Sequence, residues 1–588
     1  MKYAIFFLIF ALLLTGCTPA PDAGSVPGSP TPTGTVPSSS GSAQPTIPSV
    51  DGLFSDRDYD ASVSGGTEII LDGSIIRCSG AGVTVNGSTA TITAEGTYIL
   101  TGKLDNGTIR IDTDKQNKVQ LVLRDASIHS QTGAPIYISQ ADKVFLTLEG
   151  SNTLTNGGSF TSADDKVDAV IYAKEDLTIN GSGSLTIQSP GGHGIISKDE
   201  LTVTGGNFQV TAANHGLEAN DSLCIAGGNF EIQSGKDALR ADSNDEGMGF
   251  VYICGGQFDI DSTGDAVSAS YTLRIDGGSF DLCTGGGSAN GEVHTQDMFG
   301  GGMGGPGGMG GPGGRPGMGG SHSAVSTTDT GTSCKGLKAA GDLLICGGTF
   351  TINSADDAIH GNTDVTICGG ELTVASGDDA LHADATLTIQ NGTLTVTESY
   401  EGLEAEVIRI HGGTTTLKAN DDGLNAAGGN DQSGFGGRPG DMFASSSTSA
   451  IEITGGSLFV DANGDGIDSN GSIVITGGYT VVEGPTNGGN GPLDYGGSAT
   501  ISGGTLIVTG SVQMAQAIHP DGQGALNLSV GNQASGTPVT VTDSSGKTVL
   551  TFTPGKAFAC VIVSSPALIS GAQYHVTIGS VSGDVTAD

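Results

Sequence analysis

The chain has 588 residues and a formal net charge of −39, with 62 acidic residues against 23 basic ones. This charge argues against nucleic acid or an anionic membrane surface as a partner, and it favours cations or cation-bridged ligands. Glycine accounts for 100 residues, tryptophan is absent, and charged residues make up only 14%. Because Val, Ile, Leu and Thr recur in short regular runs, the composition predicts an ordered β-rich protein, neither disordered nor collagen-like.

The first 17 residues resemble the export signal of a bacterial lipoprotein. Lys2 precedes an apolar run over residues 3–14, which is too short to cross a bilayer and fits a signal-peptide core. The run ends in the letters LTGC, similar to a lipobox, so we expect cleavage before Cys17 and a lipid on its sulfur. The lipid would anchor the protein to the outer face of the bacterial cell membrane. A plain secretory signal with an incidental cysteine is the alternative.

Residues 18–50 are rich in Pro, Ser, Thr and Gly and have almost no apolar content. Because such a segment cannot bury a core, it predicts a flexible tether between the anchor and a folded body that starts at residue 51. Strand-like apolar runs follow at 97–101, 108–112, 119–123 and 144–148.

A 22-residue repeat dominates the chain from about residue 161 to 510. Two successive copies begin at Cys346 and Cys368 and read CGGTFTINSADDAIHGNTDVTI and CGGELTVASGDDALHADATLTI. Each copy holds a Gly-Gly pair, an apolar run, an acid followed by a small and an apolar residue, and a second apolar run. Glycine pairs at this spacing, between short strands, leave no room for helices.

This pattern predicts an all-β protein built as a parallel β-helix. Three short strands and three bends fit one coil, and alternate apolar residues fill its interior. About 14 coils spaced about 4.8 Å apart give a rod of roughly 65–70 Å. Two long gaps in the repeat predict loop insertions near 285–332 and 428–447, within a helix that extends over 51–510. Residues 511–588 lose the repeat and are expected to form a small β cap over its open end.

Equivalent residues of successive coils lie above one another, so the acid of each repeat enters a column. A second row of acids lies beside this column, and a third polar row lies three residues further along the chain. Like charges about 5 Å apart repel by roughly 0.8 kcal/mol in water and by about 3 kcal/mol at an effective dielectric of 20. Ca²⁺ would relieve this repulsion, because it takes several carboxylate and carbonyl oxygens in flexible geometry. We therefore predict Ca²⁺ ligands at Asp356, Asp357, Asp378, Asp379, Glu401, Glu404, Asp421, Asp422, Asp465 and Asp468, and substrate contacts from His360, His382 and Asn425.

The acids also have a simpler explanation. Aspartates at bends often accept hydrogen bonds from backbone N–H groups, and exposed acids are often only solvated. For catalysis, a polysaccharide lyase on such a scaffold needs a base to remove the proton next to a uronate carboxylate. Arg240 and Lys338 are available on the outward face, but both are lone charges. We interpret them as members of structural ion pairs.

Four features together resemble a clostridial family of secreted carbohydrate-binding domain-containing proteins. They are the opening LFSDRD at 53–58, the Gly-Gly/Asp-Ala coils, the Gly- and Met-rich insertion, and the closing block from Gly531 to Tyr574. The resemblance covers about 51–580. It implies a right-handed parallel β-helix similar to pectate lyases, Ca²⁺ on the helix, and binding of cellulose or of acidic, pectin-type polysaccharide such as polygalacturonate. It implies no established lyase chemistry.

The first hypothesis is a monomeric, lipid-anchored polysaccharide-binding protein that is displayed on the cell surface and uses a Ca²⁺-loaded face. A Ca²⁺-dependent polysaccharide lyase and a non-catalytic structural adhesin are the alternatives. Because the chain lacks Trp, stacking on crystalline cellulose would depend on Tyr. Because the net charge is −39, the protein should repel polygalacturonate unless Ca²⁺ bridges the two.

Overall fold

The computed structural model describes residues 50–161, 166–291, 333–426 and 448–588. The predicted signal with Cys17, the predicted tether up to residue 49, the first insertion from residue 292 onward and the second insertion lie outside these ranges. Over the ranges that are described, no helix is long and apolar enough to cross a membrane.

Nearly all strands pair in parallel with the strand of the next coil, within one sheet system of 47 strands. The strand Thr349–Ser354, for example, pairs in register with Glu371–Ser376, one repeat later. The chain winds through about 14 turns. The predicted parallel β-helix is therefore confirmed, and the 22-residue repeat corresponds to one turn.

Each turn contributes a strand to three parallel sheets, which we call the long-strand sheet, the acid-side sheet and the third sheet. The long-strand sheet comprises Ser151–Asn156, Ser184–Ser189, Asn207–Ala212, Asn229–Ser234, Gln257–Ser262, Ser279–Thr284, Thr349–Ser354, Glu371–Ser376, Thr393–Glu398, Thr414–Ala419, Ser457–Ala462, Tyr479–Glu483 and Thr505–Gly510. The acid-side sheet comprises Ile136–Gln140, Ala169–Ala173, His193–Ser197, Leu217–Ala219, Leu239–Ala241, Val267–Ala269, Leu337–Ala339, Ile359–Gly361, Leu381–Ile389, Leu403–Ile410, Leu424–Ala426, Ile467–Ser469 and Asp494–Tyr495. The third sheet comprises Lys143–Glu149, Asp176–Gly181, Glu200–Val203, Ser222–Ile225, Phe250–Ile253, Leu273–Ile275, Leu343–Ile345, Asp364–Ile367, Ala450–Ile453, Ser472–Ile475, Ser498–Ile501 and His519–Pro520, together with the second halves of Leu381–Ile389 and Leu403–Ile410.

The core is a continuous column of apolar side chains inside these sheets. Five phenylalanines of successive long strands stack face to face, with ring centroids 4.6–4.8 Å apart. The Gly-Gly pair makes room for them. At Gly348, for example, φ is +104°, and a Cβ atom would lie 3.1 Å from both the Phe350 ring and the Gly278 carbonyl oxygen. Burying each ring contributes about 1.5–3 kcal/mol, so the glycine bend and the aromatic stack stabilise the same edge of the coil.

The N-terminal end of the body opens with a short helix, Asp56–Tyr59, that lies against the third sheet. Asp58 is buried there: its carboxylate accepts a hydrogen bond from Thr178 Oγ1 at 2.6 Å and lies 3.1 Å from Lys143 Nζ. The first strands of the body are Thr67–Gly73, Ile75–Cys78, Val83–Asn86, Thr89–Ile92, Gly96–Leu104, Thr108–Asp112 and Lys118–Ser130, and a 3₁₀ turn at Ser288–Asn290 leads into the first insertion.

The C-terminal residues change the direction of pairing. The strand Phe558–Ser565 runs antiparallel to both Thr505–Gly510 and Gly524–Gln533, so the last long strand no longer exposes an open edge. A separate antiparallel sheet of Val539–Asp543, Thr548–Phe552, Gln573–Ile578 and Val581–Thr586 packs beside them around its own apolar cluster.

Candidate functional site

The bend between the long-strand sheet and the acid-side sheet aligns polar side chains in two columns. The residue two positions before the first large apolar residue of each acid-side strand enters the inner column, and the residue after that apolar residue enters the outer column. Strand register fixes both, since Leu337, Ile359 and Leu381 lie opposite one another in successive coils. The inner column is His193, His215, Asp237, Asp265, Lys335, Asp357, Asp379, Glu401, Asp422 and Asp465, and the outer column is Glu218, Arg240, Ser268, Lys338, His360, His382, Glu404, Asn425, Asp468 and Asp494.

One oxygen of several inner-column acids satisfies the backbone of the next coil. Asp357 Oδ1 accepts a hydrogen bond from the Asp379 N–H at 3.0 Å, and Asp422 Oδ1 accepts one from the Asp465 N–H at 2.5 Å. Asp465 Oδ1 in turn accepts one from the Gly491 N–H. The simpler explanation of the column is therefore correct for these oxygens, and the second oxygen of each acid remains for other partners.

In the N-terminal part of the columns, those second oxygens contact cations. Lys335 itself occupies an inner-column position, and its Nζ lies 2.7 Å from both Asp357 Oδ2 and Asp356 Oδ1. Burial raises the pKa of the Asp357 carboxyl, but Lys335 and His360 outweigh burial and hold that pKa well below its ordinary value. The charge of this stretch is thus balanced inside the protein.

The two residues considered as the base of a lyase belong to the same ion-paired part of the columns. Arg240 lies 3.2 Å from Asp237 and 2.8 Å from Asp242. Lys338 Nζ donates to Ser333 Oγ at 3.0 Å and lies 3.8 Å from Asp265. Both residues are therefore members of ion pairs, which agrees with the structural role proposed from the sequence.

One coil beyond Asp357, Asp379 has no lysine partner among the described residues and faces a histidine and a second acid instead. Nδ1 of His382 lies 3.1 Å from Asp379 Oδ2 and 2.7 Å from Glu404 Oε2. The contact with Glu404 has the distance but not the angles of a hydrogen bond, and across the described ranges no other donor reaches this oxygen. All three side chains are at most 5% exposed. Burial, followed by the charge of Glu404, raises the pKa of Asp379 well above its ordinary value.

Further along, the columns contain only acids and amides. Oxygens of Asp422, Asp465 and Asp468 lie within 4.8 Å of one another, and all three residues are half-buried. Burial and the neighbouring carboxylates raise the pKa values of Asp465 and Asp468 to about 7, and they raise the pKa of Asp422 well above its ordinary value. In the described part of the chain, no Lys, Arg or His forms an ion pair with these three acids. We call Asp422, Asp465 and Asp468 the oxygen-only cluster.

The side chains predicted to contact substrate lie beneath the surface. His360, His382 and Asn425 are 4%, 0% and 6% exposed, and each contacts an inner-column acid. His360 Nδ1 lies 2.7 Å from Asp357 Oδ2, and Asn425 Nδ2 donates to Glu401 Oε2 at 2.8 Å. In this structure they hold acids in place, and the half-buried oxygen-only cluster is the more accessible part of the columns.

Three residues of the columns' surroundings were not singled out from the sequence. Glu218 lies 3.2 Å from His193 Nδ1 and 3.1 Å from Lys198, and the repeat HGLEA around it carried the signal. Asp384 lies 3.3 Å from His382 Nε2, two residues beyond the predicted row. Asp494 extends the outer column beyond Asp468 in a coil that has lost the acid marker, so no sequence signal indicated it.

The outer face of the long-strand sheet carries a second polar surface. A groove of about 650 Å³ runs across six coils there, between residues 184 and 351. Amide, hydroxyl and carboxylate groups line it in rows, such as Asn229 and Gln257, or Glu231 and Asp259. Nearer the C-terminus, the same face exposes an aromatic pair, Phe459 and Tyr479, with ring centroids 6.1 Å apart.

Comparison with known proteins adds to this geometry. The family model described as carbohydrate-binding domain-containing protein matches residues 86–380, which is half of the chain. A carbohydrate-binding domain-containing protein from Acetivibrio thermocellus is 35% identical over 136 residues, which is 22% of this chain and 48% of that protein. The chain thus spans about half the length of this relative. A solved structure of the polysaccharide lyase-like protein from C. thermocellum, a gadolinium derivative, aligns with a TM-score of 0.35 and 24% identity, covering 55% of this chain and 97% of that one.

The family match begins at residue 86 in the first coils and ends at residue 380, next to Asp379. It therefore includes the groove and the ion-paired part of the columns, whereas the oxygen-only cluster lies beyond it. On the strength of that match, the chain belongs to the family of carbohydrate-binding domain-containing proteins.

Proposed function

We propose that this protein is a cell-surface polysaccharide-binding protein that holds acidic, pectin-type glycans through Ca²⁺ at the oxygen-only cluster. The single observation that carries the proposal is the convergence of Asp422, Asp465 and Asp468 within 4.8 Å, half-buried and without an ion-pair partner among the described residues. Glycan binding in general is supported by the family to which the chain belongs. The Ca²⁺ bridge and the pectin-type ligand go beyond what membership of this family supports.

The donor set fits Ca²⁺. Ca²⁺ prefers six to eight oxygen ligands at about 2.3–2.6 Å and tolerates irregular geometry. The cluster offers carboxylate oxygens alone, and Asp494 adds another carboxylate one coil further along the outer column. Because the cluster is only half-buried, part of the coordination sphere would stay open to a ligand from outside. A polymer carboxylate is suited to that open position.

The sign of the charge favours an acidic glycan only when the metal is present. A chain of net charge −39 repels a polyuronate, and repulsion over the whole surface is screened only partly at physiological salt. A divalent cation held by the protein reverses the local sign. Binding should therefore require Ca²⁺ and should disappear in a chelator.

Cellulose is the second candidate ligand, and a different observation favours it. Phe459 and Tyr479 are exposed by 38% and 41% on the flat long-strand face, where rings could stack on sugar faces. Such stacking needs no metal. Retention on cellulose should thus be insensitive to chelator and should depend on this aromatic pair.

Attachment to the membrane is part of the same proposal. A lipid on Cys17 would display the β-helix outside the cell, where plant-cell-wall glycans are encountered. Labelling of growing cells with a radioactive fatty acid should mark the wild-type protein and leave a Cys17→Ser variant unlabelled. Labelling of both would contradict lipidation at Cys17.

The test is retention of the full-length protein, solubilised in detergent, on polygalacturonate and on cellulose, each with Ca²⁺ and with EGTA. We expect Ca²⁺-dependent retention on polygalacturonate that an Asp422→Asn/Asp465→Asn/Asp468→Asn variant loses. A matched triple variant on the groove face, Asp259→Asn/Asp261→Asn/Asp281→Asn, removes the same charge and should retain the polymer. Equal loss in both variants would mean that net charge, not a metal bridge, controls binding.

A further inference from the structure

The second cluster of the columns, Asp379, His382 and Glu404, differs in chemistry from the oxygen-only cluster. It contains an imidazole nitrogen, and its side chains are at most 5% exposed. Ca²⁺ selects oxygen, whereas a buried mixture of imidazole and carboxylate is typical of divalent first-row transition metals such as Zn²⁺.

When Nδ1 of His382 carries the ring proton, it donates to Asp379, and the other tautomer brings three electron-rich atoms to face one another. Its Nε2 lies 3.3 Å from Asp384 Oδ1, the usual arrangement in which a ligating histidine donates its far N–H to a carboxylate. In that tautomer Nδ1 carries a lone pair, and this lone pair points to Asp379 Oδ2 at 3.1 Å and Glu404 Oε2 at 2.7 Å. A positive charge between these three atoms would turn repulsion into attraction.

Glu404 supplies an independent sign of a missing partner. Its side chain is 2% exposed, and Oε2 receives no hydrogen bond from any described residue. Leaving a buried carboxylate oxygen unsatisfied is costly, so such atoms are rare unless they have a role. A cation at this oxygen would remove that cost.

The preceding coil shows how a cation balances the charge of an acid–histidine pair in these columns. One coil earlier, Lys335 Nζ lies 2.7 Å from Asp357 Oδ2, which His360 Nδ1 also approaches at 2.7 Å. The same acid–histidine pair therefore exists twice, once with a lysine at the shared oxygen and once with a second carboxylate in place of the lysine. A metal ion at the second pair would balance its charge as Lys335 does at the first.

We propose that Asp379 Oδ2, His382 Nδ1 and Glu404 Oε2 form a buried site for a divalent transition metal, distinct from the Ca²⁺ cluster. Bonds of about 2.0–2.2 Å place tetrahedral ligands roughly 3.3–3.5 Å apart. From 3.1 Å and 2.7 Å, Asp379 Oδ2 and Glu404 Oε2 would therefore move away from His382 Nδ1 by about 0.2–0.8 Å. The site is closed to bulk solvent, which suits a structural ion that holds two adjacent coils together.

A third group of buried residues offers a matched control. His193, His215 and Glu218 also place ligand atoms within 4.8 Å of one another. Nδ1 of both histidines also lacks a hydrogen-bond partner among the described residues. There, however, Lys198 lies 3.1 Å from Glu218 and Arg240 lies 3.4 Å from His215 Nε2, so two protein cations already lie beside the group. We expect this group to reject a metal ion.

The test uses the detergent-solubilised full-length protein, loaded with Zn²⁺ and dialysed against excess Ca²⁺, with metal content measured by mass spectrometry. We expect one Zn²⁺ per chain to remain, and Glu404→Gln or His382→Gln to weaken Zn²⁺ by at least roughly 100-fold, since losing an outer partner alone costs 10- to 100-fold. His215→Gln should keep the ion. With Co²⁺ as the probe, visible absorption typical of tetrahedral coordination should appear and should vanish in His382→Gln.

Complete exchange of Zn²⁺ for Ca²⁺, retention of Zn²⁺ by Glu404→Gln, or loss of Zn²⁺ in His215→Gln would each overturn the proposal. Glu404→Gln keeps the side-chain shape and removes one buried charge, so its apo form should fold; circular dichroism would verify this. Retention on polygalacturonate in the presence of Ca²⁺ reports on the oxygen-only cluster. It should be unchanged in Glu404→Gln, so that failure of one proposal is distinguishable from failure of the other.

Discussion

Two stretches of the polar columns, around Asp357 and around Asp465, have the same backbone geometry and differ in charge. Around Asp357, Lys335 neutralises the acids from within, and the pKa of that carboxyl is depressed. Around Asp465 and Asp468, no described Lys or Arg approaches, and burial and mutual repulsion raise both pKa values to about 7. The same strand register therefore supports a stretch whose charge is balanced within the protein and a stretch of acids with no ion-pair partner among the described residues. The repeat fixes the column positions, and the residue type at each position decides whether the neighbouring acids have a cationic partner.

The largest expected effect is at the stretch whose charge is balanced within the protein. Lys335→Met should destabilise the protein by about 3–5 kcal/mol, because it leaves the buried Asp357 carboxylate without its cation. Denaturation in urea, followed by circular dichroism, measures this change. Lys335→Met/Asp357→Asn should recover much of the loss, since the double variant buries no unpaired charge. A loss below about 1 kcal/mol in the single variant would show that Lys335 is not what balances the column.

The next effect is the pH dependence of the acid-only stretch in the absence of Ca²⁺. The unfolded chain releases the Asp465 and Asp468 protons near pH 4, whereas the folded protein holds them to about pH 7. The native state therefore binds more protons between these values, and the free energy of unfolding falls as pH rises from 4 to 7. We expect a loss of roughly 2–4 kcal/mol in EGTA. Saturating Ca²⁺ should largely abolish this loss.

The variant Asp465→Asn/Asp468→Asn tests whether repulsion between these two carboxylates destabilises the Ca²⁺-free protein. In EGTA at pH 8 this variant should be more stable than the wild type by about 1–3 kcal/mol, because it removes two repelling buried charges. It should also lose the stabilisation by Ca²⁺. Thermal melts of the variant and the wild type, with and without Ca²⁺, measure both the gain in apo stability and the loss of stabilisation by Ca²⁺. An apo variant less stable than the wild type would mean that the carboxylates are already compensated within the protein.

The architecture could be predicted because its determinants are local and repeated. A Gly-Gly pair before Phe350, alternate apolar positions and a constant 22-residue step specify one coil, and stacking repeats it. The inner column followed from the same periodicity. Strand ends were less regular: the long strand Leu381–Ile389 spans two sheets, and the helix Asp56–Tyr59 forms through contacts with residues more than 100 positions away.

The chemistry of the columns was harder to predict, because it depends on depth. From sequence, His360 and His382 are outward residues of a strand, whereas the structure buries both against acids. Periodicity gives the direction of a side chain and says nothing about what covers it. Lys335 shows the same limit: it stands 22 residues before Asp357 and so falls in the acid column, but only the 2.7 Å contacts show that it neutralises Asp356 and Asp357.

The smallest effect expected is at Arg240, and it separates binding from lyase chemistry. Its side chain is 29% exposed and pairs with Asp237 and Asp242, so Arg240→Ala should cost only about 1 kcal/mol of stability. Retention on polygalacturonate in Ca²⁺ should not change, because the oxygen-only cluster lies many coils away. Incubation of the wild type with polygalacturonate should release no unsaturated ends, which absorb in the ultraviolet. Unsaturated products that form with the wild type and vanish with Arg240→Ala would instead make this ion pair part of an active site, and the two ends of the columns would then divide catalysis and binding between them.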